Sequence, residues 1–392
     1  MGRKLLHSTL IVRKRREYTV ESRLTNSQKE LRENCKTFVE QNIAVRATQF
    51  DMTREFPREI IYIMGERGFL APLLSRKFNG LGCNAVSFNL INEEINKACS
   101  TARSLITVMS MVCYAIERWG SEELKIKWLP GLACGEFIGA YALSEPDIGS
   151  QASGVTLSVT EEGDRFILNG TKKWISFGQI ADVFLVFGQS AGKSVACLVE
   201  SSTPGITLNP INHVMGCRAS MLAEIQFQDC AIDKKNLIGG LGLGISAVAM
   251  SSLSIGRMSV ASGCVGMAQA AMAAAFDYAA GRRQFDQKLM KFQLINRMLA
   301  EMKTKIAAAR ALCFQAADAL DHNLDSSSEE IVMSKYFASG MVNDVLRDAV
   351  QIFGANGCCE GTLVERFFRD AKIMEIIEGS NEILQLKLGM KR

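Results

Sequence analysis

The chain has 392 residues, 48% hydrophobic and 22% charged, a balance that excludes a disordered chain, a collagen-like repeat and a coiled coil. Its formal charge is +4, but residues 1–23 hold seven Lys or Arg against Glu17 and Glu21. That surplus of +5 leaves the remaining body at −1 and argues against nucleic-acid binding.

The 12 cysteines are scattered apart from Cys358-Cys359, with no C-x-x-C, and the three histidines (His7, His213, His322) stand at no ligand spacing. This pattern predicts reduced, mostly buried thiols in a cytosolic protein, with no metal site and no His-dependent triad. Residues 1–23 form a basic leader, expected to be disordered. It lacks the apolar core of a secretory signal, and its basic residues cluster at Arg13–Arg16 instead of spreading over an amphipathic face. The expected location is the cytoplasm, with the mitochondrial matrix as the alternative if the leader is a presequence. No apolar run approaches the ~18 residues that span a bilayer, so no membrane is expected.

Residues 24–138 read as a helical domain. Thr25-Asn26-Ser27-Gln28 offers cap chemistry before Leu31, Cys35 and Phe38, and Pro57 stands at an early helix turn. The texture changes over residues 139–238. Alternating runs at Phe166–Leu168, Val183–Phe187 and Ser194–Val199, divided by Gly163-Asp164, Gly170 and Gly192, predict a small β-barrel or sandwich. All six prolines lie at or before Pro210, and residues 239–392 are rich in Ala, Met, Leu and Gln, which predicts a bundle of long helices. Leu294, Met298, Met302, Ile306, Ala309 and Leu312 mark one face of such a helix over Phe292–Leu320, and Ser254–Ala279 reads as another. Gly242-Leu243-Gly244-Ile245-Ser246-Ala247 fits G-x-G-x-x-A, but no buried strand precedes it, so it reads as a loop entering the bundle.

Five ordered stretches are more specific. They are Tyr141–Ser150 (YALSEPDIGS), Leu168–Ser176 (LNGTKKWIS), Arg282-Arg283-Gln284-Phe285 with Gln293, Gln351–Gly357 (QIFGANG), and Arg369–Ile373 running into Ile376–Ile383 (IIEGSNEI). In this order they resemble the acyl-CoA dehydrogenase family of flavoproteins from about Leu24 to the C-terminus. The resemblance implies an N-terminal helical domain, a central β-barrel and a C-terminal four-helix bundle (an α+β fold). FAD would lie between barrel and bundle, and a second subunit of a homodimer or homotetramer would complete the site.

By the same resemblance, Tyr141, Leu143, Ser144, Gly149, Ser150, Trp174 and Ser176 hold the flavin end. Ser144 faces the pyrimidine edge, Ser176 approaches N5, and Ser150 lies near the cofactor phosphate and the thioester arm. Arg282, Phe285 and Gln293 serve the pyrophosphate and adenine of a neighbouring subunit's cofactor, as a planar guanidinium suits a diphosphate. Gln351, Gly354, Ser380 and Glu382 complete the cofactor set. Asp286 and Ala355 stand where the family generally has Gly.

Glu378 is the implied catalytic base. Abstracting the weakly acidic α-hydrogen of a thioester needs a carboxylate shielded from water, and Ile373, Ile376 and Ile377 precede it. Arg257 and Gly379 are implied at the substrate, with the backbone N–H of Glu378 polarising the thioester carbonyl. Some relatives carry the base directly before Arg257, where this chain has Gly256. The acid that often accompanies that arginine is missing near Ser254.

The implied activity is α,β-dehydrogenation of an acyl-CoA, with electrons leaving to an electron-transfer flavoprotein or to O2. Two readings stand beside it: a dehydrogenase or oxidase of an acyl thioester on a carrier protein, and a catalytically idle binding subunit.

Overall fold

The computed structural model describes residues 20–390. Most of the basic leader lies outside them, and the expectation of disorder there goes with it. The last four leader residues depart from that expectation: Val20–Arg23 form a short helix, α1. Glu21 pairs with Arg32 at 2.6 Å and Arg310 at 2.7 Å, and Arg23 sits over the Phe314 ring, so tertiary partners order the turn.

Six helices follow: α2 (Asn26–Phe38), α3 (Ala47–Thr53), α4 (Arg58–Glu66), α5 (Ala85–Asn96), α6 (Ser100–Trp119) and α7 (Glu122–Cys134). α2 starts on a reciprocal capping box, in which the Gln28 amide donates to the Thr25 hydroxyl while the Thr25 amide donates to the Gln28 side chain. Pro57 caps α4. α5 is buried on every face and α6 nearly so, which marks them as interior helices.

The β domain comprises β1 (Gly139–Ala142), β2 (Ser158–Glu162), β3 (Arg165–Ile175), β4 (Val183–Ser190), β5 (Lys193–Glu200), β6 (Ile206–Ile211), β7 (Leu222–Asp233) and β8 (Leu237–Ile238). They form one mixed sheet in the order β6-β7-β3-β2-β4-β5-β8, with β1 parallel to β4. β4 and β5 pair from Val183↔Glu200 to Ser190↔Lys193 around Ala191-Gly192, whose φ angles of 47° and 78° match a two-residue hairpin turn. β1 divides two cores: Ala140 and Ala142 enter the sheet interior, while Tyr141 and Leu143 pack on the helical core.

The bundle comprises α8 (Met250–Gly281), α9 (Gln293–Asp321), α10 (Ser327–Phe353), α11 (Leu363–Ile376) and α12 (Asn381–Met390), with a hairpin of β9 (Arg283–Gln284) and β10 (Gln287–Lys288) after α8. On α9, Met302, Ile306 and Ala309 are buried as the stripe predicts. Leu294 is 69% exposed and Leu312 only half-buried: at about 100° per residue both stand roughly 80° off the line of Met302, and the buried line continues instead through Cys313 and Ala316.

The membrane expectation needs one correction. Gly244–Gly281 is long and apolar enough to cross a bilayer by length and composition, although 67% of its most apolar window is buried. It is the central helix of the bundle, enclosed by α5, α6, α9 and α10.

Two polar ties fix the sheet and bundle around the region described next. Glu145 accepts from Lys172 at 2.8 Å, from the Thr156 and Leu157 amides and from the Thr156 hydroxyl, while Lys172 also donates to the Leu143 carbonyl at 3.0 Å. Burial alone would raise the Glu145 carboxyl, but these donors outweigh it and hold the group below the usual range. Arg369 grips Asp51 of α3 in a two-pronged pair at 2.6 and 3.1 Å and donates to the Met215 carbonyl, while Asp370 takes the Cys217 amide. The Arg369-Asp370 motif thus joins all three domains. Because Lys172→Met strands the Glu145 carboxylate in the interior, we expect it to cost about 3–5 kcal/mol, read as a lowered denaturation midpoint.

Candidate active site

α11 ends at Ile376, and the chain turns through Glu378 at φ 57° and Gly379 at φ 96° before α12. Gly379 adopts this left-handed geometry freely, whereas Glu378 does so at a cost of order 1 kcal/mol that its surroundings must hold in place. Arg257 Nε donates to the Glu378 carbonyl at 3.0 Å. From the other side the fully buried Lys335 donates to the Gly379 carbonyl at 2.8 Å, the Asn381 side chain at 3.2 Å and the Glu375 carbonyl at 3.3 Å. Ser339 donates to the same Asn381 oxygen at 2.8 Å.

These contacts engage the backbone of the turn and leave the carboxylate bare. Glu378 Oε2 has no accessible surface and no hydrogen-bond partner. Its neighbour is Gly256 of α8, where an added Cβ would stand 2.3 Å from Oε2 and 2.8 Å from Met111 Sδ. Burial pushes the Glu378 carboxyl up, and Arg257, Arg103 and Lys335 oppose that rise. Lys335, in turn, is pulled down to about 8 by burial.

A cavity of about 500 Å³ opens beside this turn, lined by Arg118, Trp119, Met250, Ser254, Arg257 and Lys387 among others. Three cations, Arg118, Arg257 and Lys387, against one acid, Glu329, leave the lining net positive, which suits a phosphate-bearing arm, and Arg257 donates to the Glu378 carbonyl.

The residues expected at the flavin fall on neighbouring strands. The Lys173 amide donates to the Ser144 carbonyl at 2.9 Å, which sets Ser144 beside Trp174. Trp174 lies at φ 64° and keeps 53% of its surface exposed, and Ser144 and Ser176 are half-buried. Leu143 is fixed through its carbonyl by Lys172. Tyr141 instead turns its hydroxyl to Ser252 of α8 at 3.0 Å and its ring to Phe187, on the side of Glu378. Gly149 and Ser150 are exposed in the bend after Pro146, with open space around Gly149.

The set expected at the pyrophosphate and adenine gathers at the far end of α8. Arg282, Phe285 and Gln293 are exposed there, Phe285 by 88%. Tyr278 stacks on Phe353 at 4.3 Å and accepts from Asn356 at 2.8 Å, which brings Gln351 and Gly354 to the same end. Phe285 and Asp286 form the β9–β10 turn at φ 49° and 61°. Glycine at position 286 would relieve that left-handed backbone, and the exposed Asp286 side chain points no charge into the body of the protein. Ser380 and Glu382 follow the Glu378–Gly379 turn into the start of α12; Ser380 caps that helix, and the amide of residue 382 with the Ser380 hydroxyl lowers the exposed Glu382 carboxyl.

An uncovered indole wall flanked by serines, and a guanidinium with no ion-pair partner among the described residues, have the chemistry to hold a flavin ring and a diphosphate. FAD therefore fits the residues present. Sequence reasoning missed Lys335, although it stands in register with Ile331, Ala338 and Val342 on the buried stripe of α10. It also missed the buried Arg103 and the Glu145–Lys172 tie.

Comparison with known proteins agrees with this architecture. Residues 25–136, 140–230 and 244–392 match the N-terminal, middle and C-terminal domains of acyl-CoA dehydrogenase. The chain belongs to the acyl-CoA dehydrogenase family. Members are FAD-dependent oxidoreductases that act on CH–CH groups. Over 373 residues it is 36% identical to the mitochondrial short-chain specific acyl-CoA dehydrogenase of Mus musculus, covering 93% of this chain and 90% of that one. Among solved structures, butyryl-CoA dehydrogenase of Megasphaera elsdenii superposes with a TM-score of 0.89 at 33% identity, covering 93% and 98%. A glutaryl-CoA dehydrogenase of Mycobacterium smegmatis in complex with FADH2 gives 0.91 at 27% identity, covering 94% and 95%.

The closeness of Gly256 to Glu378 makes a direct prediction. Gly256→Ala should displace the carboxylate and lower the rate of substrate-driven flavin reduction by about 100-fold while flavin content stays near one per chain, as stopped-flow and absorbance measurements will show.

Proposed function

We propose that this protein is an α,β-dehydrogenase of a short acyl thioester with Glu378 as its base. The observation that carries this reading is the buried Oε2 of Glu378, which has no hydrogen-bond partner. When bound, FAD supplies the acceptor for the β-hydride and relays the two electrons to an electron-transfer flavoprotein. The protein does the rest. Glu378 takes the α-proton, the amide of the Glu378 turn polarises the thioester carbonyl, and Arg257 and Lys335 fix that turn from opposite sides. The cationic cavity takes the pantetheine arm and its phosphate, a unit common to CoA and carrier proteins; CoA is the handle the family resemblance favours.

We also propose a homo-oligomer in which each site takes Arg282 and Phe285 from a second copy. Glu378 meets α8 at Gly256, and Arg282 follows Gly281 at the helix's other end, about 39 Å away at ~1.5 Å per residue. One extended dinucleotide does not reach both from the same chain.

Glu378→Gln should retain FAD and lose more than 1,000-fold in anaerobic flavin reduction by acyl thioesters; an unchanged rate would favour the idle-subunit reading. Glu378 must be ionised to accept a proton, so the wild-type rate should rise with pH through a midpoint above the ordinary 4.5. A folded-state value above the unfolded one means that the carboxyl's contribution to stability is present in acid and lost as pH rises. The Gln variant should therefore gain thermal stability over wild type between pH 5 and 8.

Subunit exchange tests the shared site. Glu378→Gln and Arg282→Ala chains, each impaired alone, should recover up to about half the wild-type activity when co-assembled, because one site of the pair is then intact.

A further inference from the structure

Lys335 of α10 is 0% exposed and has no ion-pair partner among the described residues. An apolar side chain would fill its place on the buried stripe without the penalty of enclosing a charge. An ammonium has three N–H groups, and three oxygens take them: the Glu375 carbonyl at 3.3 Å, the Gly379 carbonyl at 2.8 Å and Asn381 Oδ1 at 3.2 Å. Their order along the chain gives the arrangement its meaning. Glu375 lies in the last turn of α11, Gly379 follows Glu378, and Asn381 opens α12, so one ammonium spans both ends of the turn that carries the carboxylate. Arg257 holds only its middle, through the Glu378 carbonyl. Ser339, one turn further along α10, steadies the same Asn381 oxygen at 2.8 Å, and Asn343, a turn beyond, donates to the Ala371 carbonyl of α11 at 3.0 Å.

Protonation decides whether this span holds. A neutral amine keeps two N–H groups and turns a lone pair toward the third oxygen, so one end of the turn loses its donor. The backbone at Glu378, left-handed at φ 57°, is the strained point between those ends and depends on them. Burial pulls the lysine down to about 8; Arg257 of α8 adds to the drop, while Glu378 in the turn and Glu375 of α11 oppose it. Glu382 of α12 also faces the group. Cys264 of α8 faces it too, but burial pushes that thiol up to about 12, which leaves it uncharged where the lysine titrates.

We propose that Lys335 is a positioning residue for the base: as an ammonium it holds the Glu378 turn in its reactive shape, and on losing its proton it releases one end of that turn, so that Lys335 sets the alkaline limit of the reaction. This rests on the dehydrogenase reading and adds the regulation of its site. The loss of rate in alkali is local and distinct from unfolding. Because the folded-state value lies below the ordinary 10.5, the unfolded chain holds the extra proton between the two, and the contribution of Lys335 to stability rises with pH across that window.

The test follows anaerobic flavin bleaching in the FAD-loaded full chain by saturating butyryl-, hexanoyl- and octanoyl-CoA from pH 6 to 10.5. In the wild type the rate should fall about tenfold per pH unit above a midpoint near 8. Lys335→Arg, whose guanidinium stays charged throughout, should remove the fall. Lys335→Met should lower the rate at pH 7 by about tenfold or more and show no alkaline fall. Asn381→Ala keeps the lysine and deletes one of its three acceptors, which disfavours the ammonium and should move the midpoint down by about half a pH unit or more. A wild-type rate level to pH 10.5, a fall that survives in Lys335→Arg, or a midpoint that Asn381→Ala leaves unchanged overturns the proposal and leaves the dehydrogenase standing. Bleaching by none of the three thioesters at any pH overturns both. The wild-type and Asn381→Ala profiles decide the question even if neither lysine variant folds.

Discussion

A carboxylate enclosed by protein, with one oxygen bare and its own backbone gripped from two sides, is the constraint around which this molecule is arranged. Such a group is costly, and three features hold it. The left-handed turn at Glu378 is fixed through main-chain carbonyls by Arg257 and Lys335, which spares the side chain. Gly256 makes room for it on α8. Three cations offset part of the burial penalty without any of them forming a direct ion pair with the carboxylate. A direct pair would stabilise the fold more and hold the carboxylate more firmly in its charged form, so the spacing is the one that the proposed role of Glu378 as a proton acceptor needs.

The fold was legible where its causes are local. The Thr25 cap, the alternation of β3, β4 and β5 and the apolar stripe of α9 each depend on neighbours within a few residues, and each is present. Glu378 was legible as part of a motif, but its restraints were not. Arg257 is 121 residues away and Lys335 reaches Gly379 across 44, and periodicity assigns a residue to a face without naming what that face meets. Charged residues are the hardest case, because a lysine or arginine in a helix reads as solvent-facing. Lys335 and Arg103 are both fully buried, and only their position within apolar stripes distinguishes them from surface charges. The Arg369-Asp370 motif teaches the converse: residues that mark the family so clearly work here as a tie to Asp51 and Cys217, away from the reacting atoms.

α8 runs from the Glu378 turn to the surface proposed for a second copy. Its first turns take the Tyr141 hydroxyl, Arg257 and Gly256, and its last residues carry the stacked Tyr278 and the hairpin with Phe285. A helix this long and apolar is stable only inside a bundle, which is why it passes by composition for a membrane span and is nonetheless enclosed by its neighbours. Rigidity over its whole length has a consequence. The two ends cannot approach each other, so residues suited to one cofactor sit at opposite ends of the same rod. The extended surface at the far end, with Phe276, Phe285 and Leu294 exposed, is more apolar than a solitary bundle end requires. A second copy that covers this surface would bring the guanidinium of Arg282 to the partner's flavin side, so that burying the apolar end and completing the site become the same event.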